Sequence, residues 1–336
     1  MTMNSVAIEI LNSDQNRARI DFLKSNDSVN VFDTIQEQLK ELIEINYVGL
    51  NTKPTVEQFL GQRHWHDYGV WVYYPWSRNL VHLLDESDFI KVRTNRNQLK
   101  ITLEEQTLLG EKIVGVIGLS VGQSTAITLA MERCFKEIRL ADFDLLELSN
   151  LNRIRTGVHN LGVPKVTAVA REILEIDPFL KVTCFSEGLT DENMDRFFTS
   201  DGVSLDVCID ECDSLDIKVK CRQKAKKLRI PVLMESSDRG MLDVERFDLE
   251  PDRSILHGVI DHLDLSTLER LKTNEQKAPF VLPILGFESI SDRMKASMLE
   301  IDQSISTWPQ LASAVGLGGA ITTETWRRIV LNNFVA

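Results

Sequence analysis

The residues of this chain best suited to chemistry begin at Gly118-Leu119-Ser120-Val121-Gly122, between the apolar run Lys112–Ile117 and a helical pattern. A glycine-containing turn from a buried strand into a helix lets backbone N–H groups and the helix N-terminus face an anion. The same five residues also spell G-x-S-x-G, the elbow that exposes a nucleophilic serine, here Ser120. The loop alone leaves both chemistries open. Asp142 decides between them, because it ends the next predicted strand twenty positions after Gly122. At that place an acid accepts hydrogen bonds from ribose hydroxyls, and a serine hydrolase has no use for it.

Elements must hold these groups in place, and the spacing of apolar residues supplies them. Thr102-Leu103-Glu104-Glu105 is a capping-box pattern that starts a short helix up to Leu109, which leads into the buried-strand run. Beyond it the sequence predicts helix 123–133, strand 137–141, helix 164–176, strand 182–185, helix 192–198, strand 206–210, helix 216–228 and strand 231–235. Strands separated by helices pair in parallel through right-handed crossovers, giving a Rossmann-like, doubly wound α/β sheet. A last strand over 241–249 follows too closely for a crossover helix and is expected antiparallel at the edge.

Residues 1–95 are expected to form a small α+β domain, with a helix near 34–45 and strands in YGVWVYY and NLVHLL around the turn Pro75-Trp76-Ser77. His64 and His66, beside Asp67, have the spacing of a metal pair on one face of a strand, although no further ligand is near. Residues 96–250 hold the nucleotide-type pattern, and 251–336 turn mainly helical, at 265–271, 289–299 and 310–331. Gly316-Leu317-Gly318-Gly319 lacks a preceding strand and is read as small residues that let helices approach closely.

The ordered set Asp142-Phe-Asp144-Leu-Leu-Glu-Leu-Ser149-Asn150-Leu-Asn-Arg153, Gly162-Val-Pro164-Lys165 and Asp210-Glu-Cys-Asp213 resembles the ThiF/MoeB and ubiquitin-activating superfamily. Within it, Ser237–Gly240 followed by Val244–Glu250 is similar to bacterial ThiF-type proteins, some of which are fused to a nitroreductase-like domain. The resemblance implies an ATP-dependent adenylyltransferase using ATP and Mg²⁺. Gly118, Ser120, Gly122, Asp142, Asp144 and Asn150 would bind the nucleotide, with Asp142 at the ribose. Arg153 and Lys165 would neutralise the triphosphate, and Asp213 would hold Mg²⁺ against it. Arg93-Thr-Asn-Arg96-Asn-Gln is similar to the segment that supplies an arginine to a partner subunit's ATP, which gives Arg96 that role and implies a homodimer.

Some positions depart from the family pattern. Three loop glycines are missing at aligned positions, where Ser120, Val121 and Gln123 now stand. The glutamine expected after the arginine is Ile154, and the zinc-binding cysteines are absent. Of the five cysteines (Cys134, Cys184, Cys208, Cys212, Cys221), none forms a C-x-x-C pair, and no thioester nucleophile is evident.

The expected activity is activation of an acceptor carboxylate as an acyl-adenylate, with release of pyrophosphate. The acceptor is a ubiquitin-like or sulfur-carrier protein C-terminus, a peptide or a small acid. A tRNA threonylcarbamoyladenosine dehydratase-like enzyme and a catalytically silent ATP-binding scaffold are the alternatives. A net charge of −12 counts against a nucleic-acid partner. The basic run Lys218, Lys220, Arg222, Lys224, Lys226, Lys227 and Arg229 is read as a solvated helix face. Without a leader-like N-terminus or a membrane-length apolar run, the expectation is a cytoplasmic protein, with a nitroreductase-like domain as a possible separate partner.

Overall fold

The computed structural model describes residues 6–333. The expectation about a leader rests partly on residues 1–5, which lie outside them. The chain forms two compact units: one runs to Glu105 and includes Asp177–Phe179, and the other comprises Gln106–Ile176 and the chain from Leu180 onward.

The first unit contains β1 (Glu9–Asn12), α1 (Arg17–Lys24), β2 (Asn30–Asp33), α2 (Ile35–Asn46), α3 (Val56–Leu60), β3 (Val70–Tyr74), β4 (Asn79–Leu83) and α4 (Glu86–Thr94). Its sheet has the order β1-β3-β4-β2. β3 is antiparallel to both neighbours, and β2 runs parallel to β4. The aromatic run of β3 is buried along its whole length, because it is a central strand with both faces covered. α2 buries Ile35, Leu39, Leu42 and Ile43, the stripe of an amphipathic helix. Asp177 belongs here through its ion pair with Arg93, and Phe179 through an edge-on contact with Phe89.

His64, His66 and Asp67 do not lie on a strand. Residues Trp65–Asp67 make a 3₁₀ turn in which the His64 ring nitrogen accepts the His66 N–H and the two imidazoles stack. Among the described residues no cluster of three His, Cys, Asp or Glu could hold a metal ion.

α5 (Leu103–Leu109) begins at the expected reciprocal cap between Thr102 and Glu105. The second unit continues with β5 (Ile113–Ile117), α6 (Gly122–Glu132), β6 (Glu137–Ala141), α7 (Lys165–Ile176), β7 (Lys181–Phe185), α8 (Met194–Phe198), the small hairpin β8 (Thr199–Ser200) and β9 (Val203–Ser204), β10 (Val207–Asp210), α9 (Leu215–Leu228), β11 (Val232–Glu235) and β12 (Leu242–Glu245). Its sheet has the order β12-β11-β10-β5-β6-β7. All of its pairs are parallel except β11–β12, so the edge strand is antiparallel as expected.

Helices α10 (Asn274–Ile284), α11 (Asp292–Glu300) and α12 (Ala312–Val330) follow. α10 was missed from sequence because it contains Pro279 and Pro283, and the helix expected at 265–271 is a 3₁₀ segment, Leu265–Arg270. α12 packs on α6. A side chain at Gly319 would meet Ser124, and one at Gly318 would meet the Glu235 carboxylate. Trp326 and Arg327 of α12 bind Cys134 O and the Glu132 carboxylate just after and at the end of α6. No helix of the described residues is long and apolar enough to cross a membrane.

The basic run on α9 is not one solvated face. Arg222 is fully buried, donating to Asp210 of β10 and Glu245 of β12, and Lys218 reaches Asp210 at 3.1 Å. Lys220 and Lys224 do face outward, toward Asp191, Glu269 and Asp195. Lys218 and Arg222 are four residues apart on the helix stripe that faces the sheet, and buried carboxylates there compensate their charge.

Candidate active site

β5 is the switch point of the sheet, with β6 on one side and β10 on the other, so a crevice opens at the strand C-termini. Gly118 leaves β5 and donates to Ala141 O of β6 at 2.9 Å, while the Glu211 N–H after β10 donates to Ile117 O at 2.8 Å. Gly118 has φ +84°, and a Cβ there would lie 2.5 Å from the carbonyl oxygen of Glu211. Only glycine fits that conformation and that approach.

Asp142 turns back onto this loop, where one carboxylate oxygen accepts the Leu119 N–H at 2.7 Å and the other accepts the Asp144 N–H at 2.8 Å. Burial pushes its pKa above the usual carboxylate range, against the pull of those N–H groups and of Lys165. Each oxygen keeps a second lone pair for a hydroxyl donor. Lys165, the first residue of α7, is almost fully buried and meets Asp144 at 2.7 Å, closing the crossover that starts at Asp142. Asn150 is a local cap, its side chain accepting the Glu147 N–H while the Glu147 carboxylate accepts the Asn150 N–H.

Arg153 follows and lies over the loop. Its Nε donates to Ser120 Oγ at 3.0 Å, and its Nη1 donates to Ser149 O and Asn152 Oδ1. Burial lowers its pKa, while the charge of Asp213, an exposed residue three positions after the end of β10, acts in the opposite direction. Gln123, at the second position of α6, accepts the Arg155 N–H and donates to Arg155 O and Glu172, each at 2.9 Å. The structure thus brings Gly118, Ser120, Gly122, Asp142, Asp144, Asn150, Arg153, Lys165 and Asp213 to one end of the sheet. Arg96 lies in the 3₁₀ turn Asn95–Asn97 of the first unit.

A switch-point crevice, a tight glycine turn and an acid at the end of the second strand define a nucleotide-binding α/β protein. Residues 94–259 match the ThiF family, so the chain carries a ThiF family domain. It is 49% identical over 261 residues to the Mycobacterium tuberculosis (strain CDC 1551 / Oshkosh) protein MT1398, covering 78% of this chain and 36% of that one. It is 29% identical over 157 residues to the tRNA threonylcarbamoyladenosine dehydratase of Bacillus subtilis (strain 168), covering 46% of this chain and 60% of that one. The chain therefore spans only about a third and three fifths of these curated relatives. Among solved structures, the E. coli tRNA N6-threonylcarbamoyladenosine dehydratase TcdA in complex with ATP aligns with a TM-score of 0.52 at 16% identity, over 74% of this chain and 97% of that one. That likeness is one of fold.

Two features of the site were not read from the sequence. Gln123 was taken only as a lost glycine, and its partner Arg155 has no local pattern to announce it. The second is the carboxylate group of Glu211 and Glu235 behind the loop, where Glu211 accepts the Glu235 N–H at 3.2 Å. Burial, and then the charge of Glu235, raise the Glu211 pKa well above its ordinary value.

Proposed function

We propose that the protein is an ATP-dependent adenylyltransferase that activates an acceptor carboxylate. A carboxylate oxygen attacks the α-phosphorus, the bond from that phosphorus to the pyrophosphate oxygen breaks, and an acyl-adenylate and pyrophosphate result. The observation that carries this reading is the convergence of Gly118, Asp142, Arg153, Lys165 and Asp213 at the sheet's switch point. Asp142 accepts from the ribose, and Arg153 and Lys165 stabilise the charge that grows on the departing pyrophosphate. Asp213 suits Mg²⁺, since this cation is held by one or two carboxylates together with phosphate oxygens and waters, and Asp213 is an exposed oxygen donor. Bound there, Mg²⁺ supplies further charge neutralisation.

The acceptor in this reading is a ubiquitin-like or sulfur-carrier protein C-terminus, a peptide or a small acid. A dehydratase acting on tRNA threonylcarbamoyladenosine is the second reading, favoured by the Bacillus subtilis relative and opposed by the net charge of −12. The reading also includes a cytoplasmic homodimer in which Arg96 reaches the partner's ATP, and a separate nitroreductase-like partner.

ATP–pyrophosphate exchange, screened over these acceptor classes, tests the activity. Asp213→Asn is expected to retain ATP binding and lose exchange by about 10²-fold, because it stabilises charge mainly in the transition state. Asp142→Ala is expected to lose ATP affinity first. Binding without exchange for every acceptor, unchanged in Asp213→Asn, replaces the enzyme reading by the silent scaffold.

A further inference from the structure

We infer that Ser120 and Gln123, which stand where the loop of this superfamily carries glycine, are positioning residues that lock Arg153 for the triphosphate. The inference rests on the nucleotide reading above. By sequence these two side chains narrow the approach to phosphate. In the structure both turn away from that task and toward the arginine's segment.

Gln123 uses its whole carboxamide. The oxygen accepts the Arg155 N–H, and the nitrogen donates to Arg155 O and to Glu172 of α7, while Glu172 accepts from the Arg155 guanidinium at 3.1 Å. The backbone two residues beyond Arg153 is therefore tied to α6, and the side chain of the same residue to α7. Gln123 is 3% exposed, so water competes little for its own bonds, while the Arg155 guanidinium stays exposed. Between them Ile154 is buried and donates its N–H to Asn150 O, which pins the remaining residue of the segment.

Ser120 completes the arrangement at the side chain by accepting from Arg153 Nε. With Nη1 held by Ser149 O and Asn152 Oδ1, only Nη2 makes no hydrogen bond among the described residues. A guanidinium fixed at Nε and Nη1 presents its two remaining N–H donors, both on Nη2, in a fixed direction. Its rotamer freedom is lost before any phosphate arrives, which is the condition for a preorganised charge. The three residues that stand in place of glycine keep their loop N–H groups, and one immobilised cation is added beside the loop.

Calorimetric titration of the full chain with ATP and with adenosine, without any acceptor, isolates the triphosphate contribution as the ratio of the two dissociation constants. Wild type is expected to bind ATP at least about tenfold more tightly than adenosine, and Arg153→Ala to abolish most of that ratio. Ser120→Ala and Gln123→Ala should each shrink the ratio by roughly three- to tenfold, with adenosine affinity unchanged. Neither should shrink it further on the Arg153→Ala background, because residues acting through one group are not additive. Single variants that leave the ratio intact, or losses that add to that of Arg153→Ala, overturn the inference. Ser120→Ala removes one oxygen from a turn and carries the test should Gln123→Ala fail to fold. A wild type that binds ATP no better than adenosine overturns the nucleotide reading itself.

Discussion

Glu211 shows how a single side chain near the crevice sets a pH response. Its carboxyl group sits behind the glycine turn, facing Asp210, Lys218 and Glu235, and burial together with Glu235 outweighs Lys218 to raise its pKa well above 4.5. The folded chain therefore keeps a proton that the unfolded chain releases, and stability falls as pH rises from the unfolded value toward the folded one. Glu211→Gln still accepts the Glu235 N–H but has no proton to lose. Its melting temperature should match wild type near about pH 4 and exceed it by a few degrees near about pH 8, read by scanning calorimetry. A difference that stays flat with pH removes the raised pKa. The thiols follow the same logic of burial: Cys184 is pushed up to about 11, and Cys212 well above its ordinary value by burial and then Asp210, which makes them poor thiolate nucleophiles. At this scale the sequence disclosed residues whose position is set by a strand end, such as Asp142. It hid those whose role depends on a distant partner, such as Gln123, because nothing local marks a residue 32 positions away as its acceptor and donor.

Among elements, the contact between α9 and the strands beneath it is the most sensitive. Arg222 is shared by Asp210 of β10 and Glu245 of β12, and Lys218 shares Asp210. Burial raises the Asp210 pKa, but the charges of Lys218 and Arg222 outweigh it and hold the carboxyl well below the usual range. Arg222→Ala leaves Glu245 buried without its cation and Asp210 with Lys218 alone, and should cost about 3–5 kcal/mol in urea unfolding. A loss below about 1 kcal/mol would mean that water reaches the gap. The α/β rhythm itself was legible, with the ends of β5, β6, β7, β10 and β11 within a residue of expectation, since parallel strands are continuous apolar runs bounded by polar caps, whereas the two-residue strands β8 and β9 were not read. β1 and β2 were not, because each is a four-residue edge strand with little burial and so carries no apolar signature. The inward turn of Lys218 and Arg222 was also missed. Charge alone suggested solvent, and only the carboxylates ending β10 and β12 explain why the stripe faces the sheet.

For the whole molecule, the proposal that Arg96 serves a partner's nucleotide makes the assembly part of the site. It predicts that Arg96→Ala and Asp213→Asn, each defective in exchange, regain roughly a quarter of wild-type activity when co-refolded, since about half the dimers are mixed and each holds one intact site. No recovery, or a monomer by sedimentation at micromolar concentration, removes both the homodimer and the in-trans arginine. One relation within the second unit also bears on how the protein is made. The helix that opens at the glycine turn is covered by α12, and Trp326 grips Cys134 O across 192 positions of chain. During synthesis the loop emerges long before the residues that brace it. A nascent chain that has not yet reached α12 leaves the face of α6 that holds Ser124 open to water and to other chains, and α12 must be made before the crevice can be rigid.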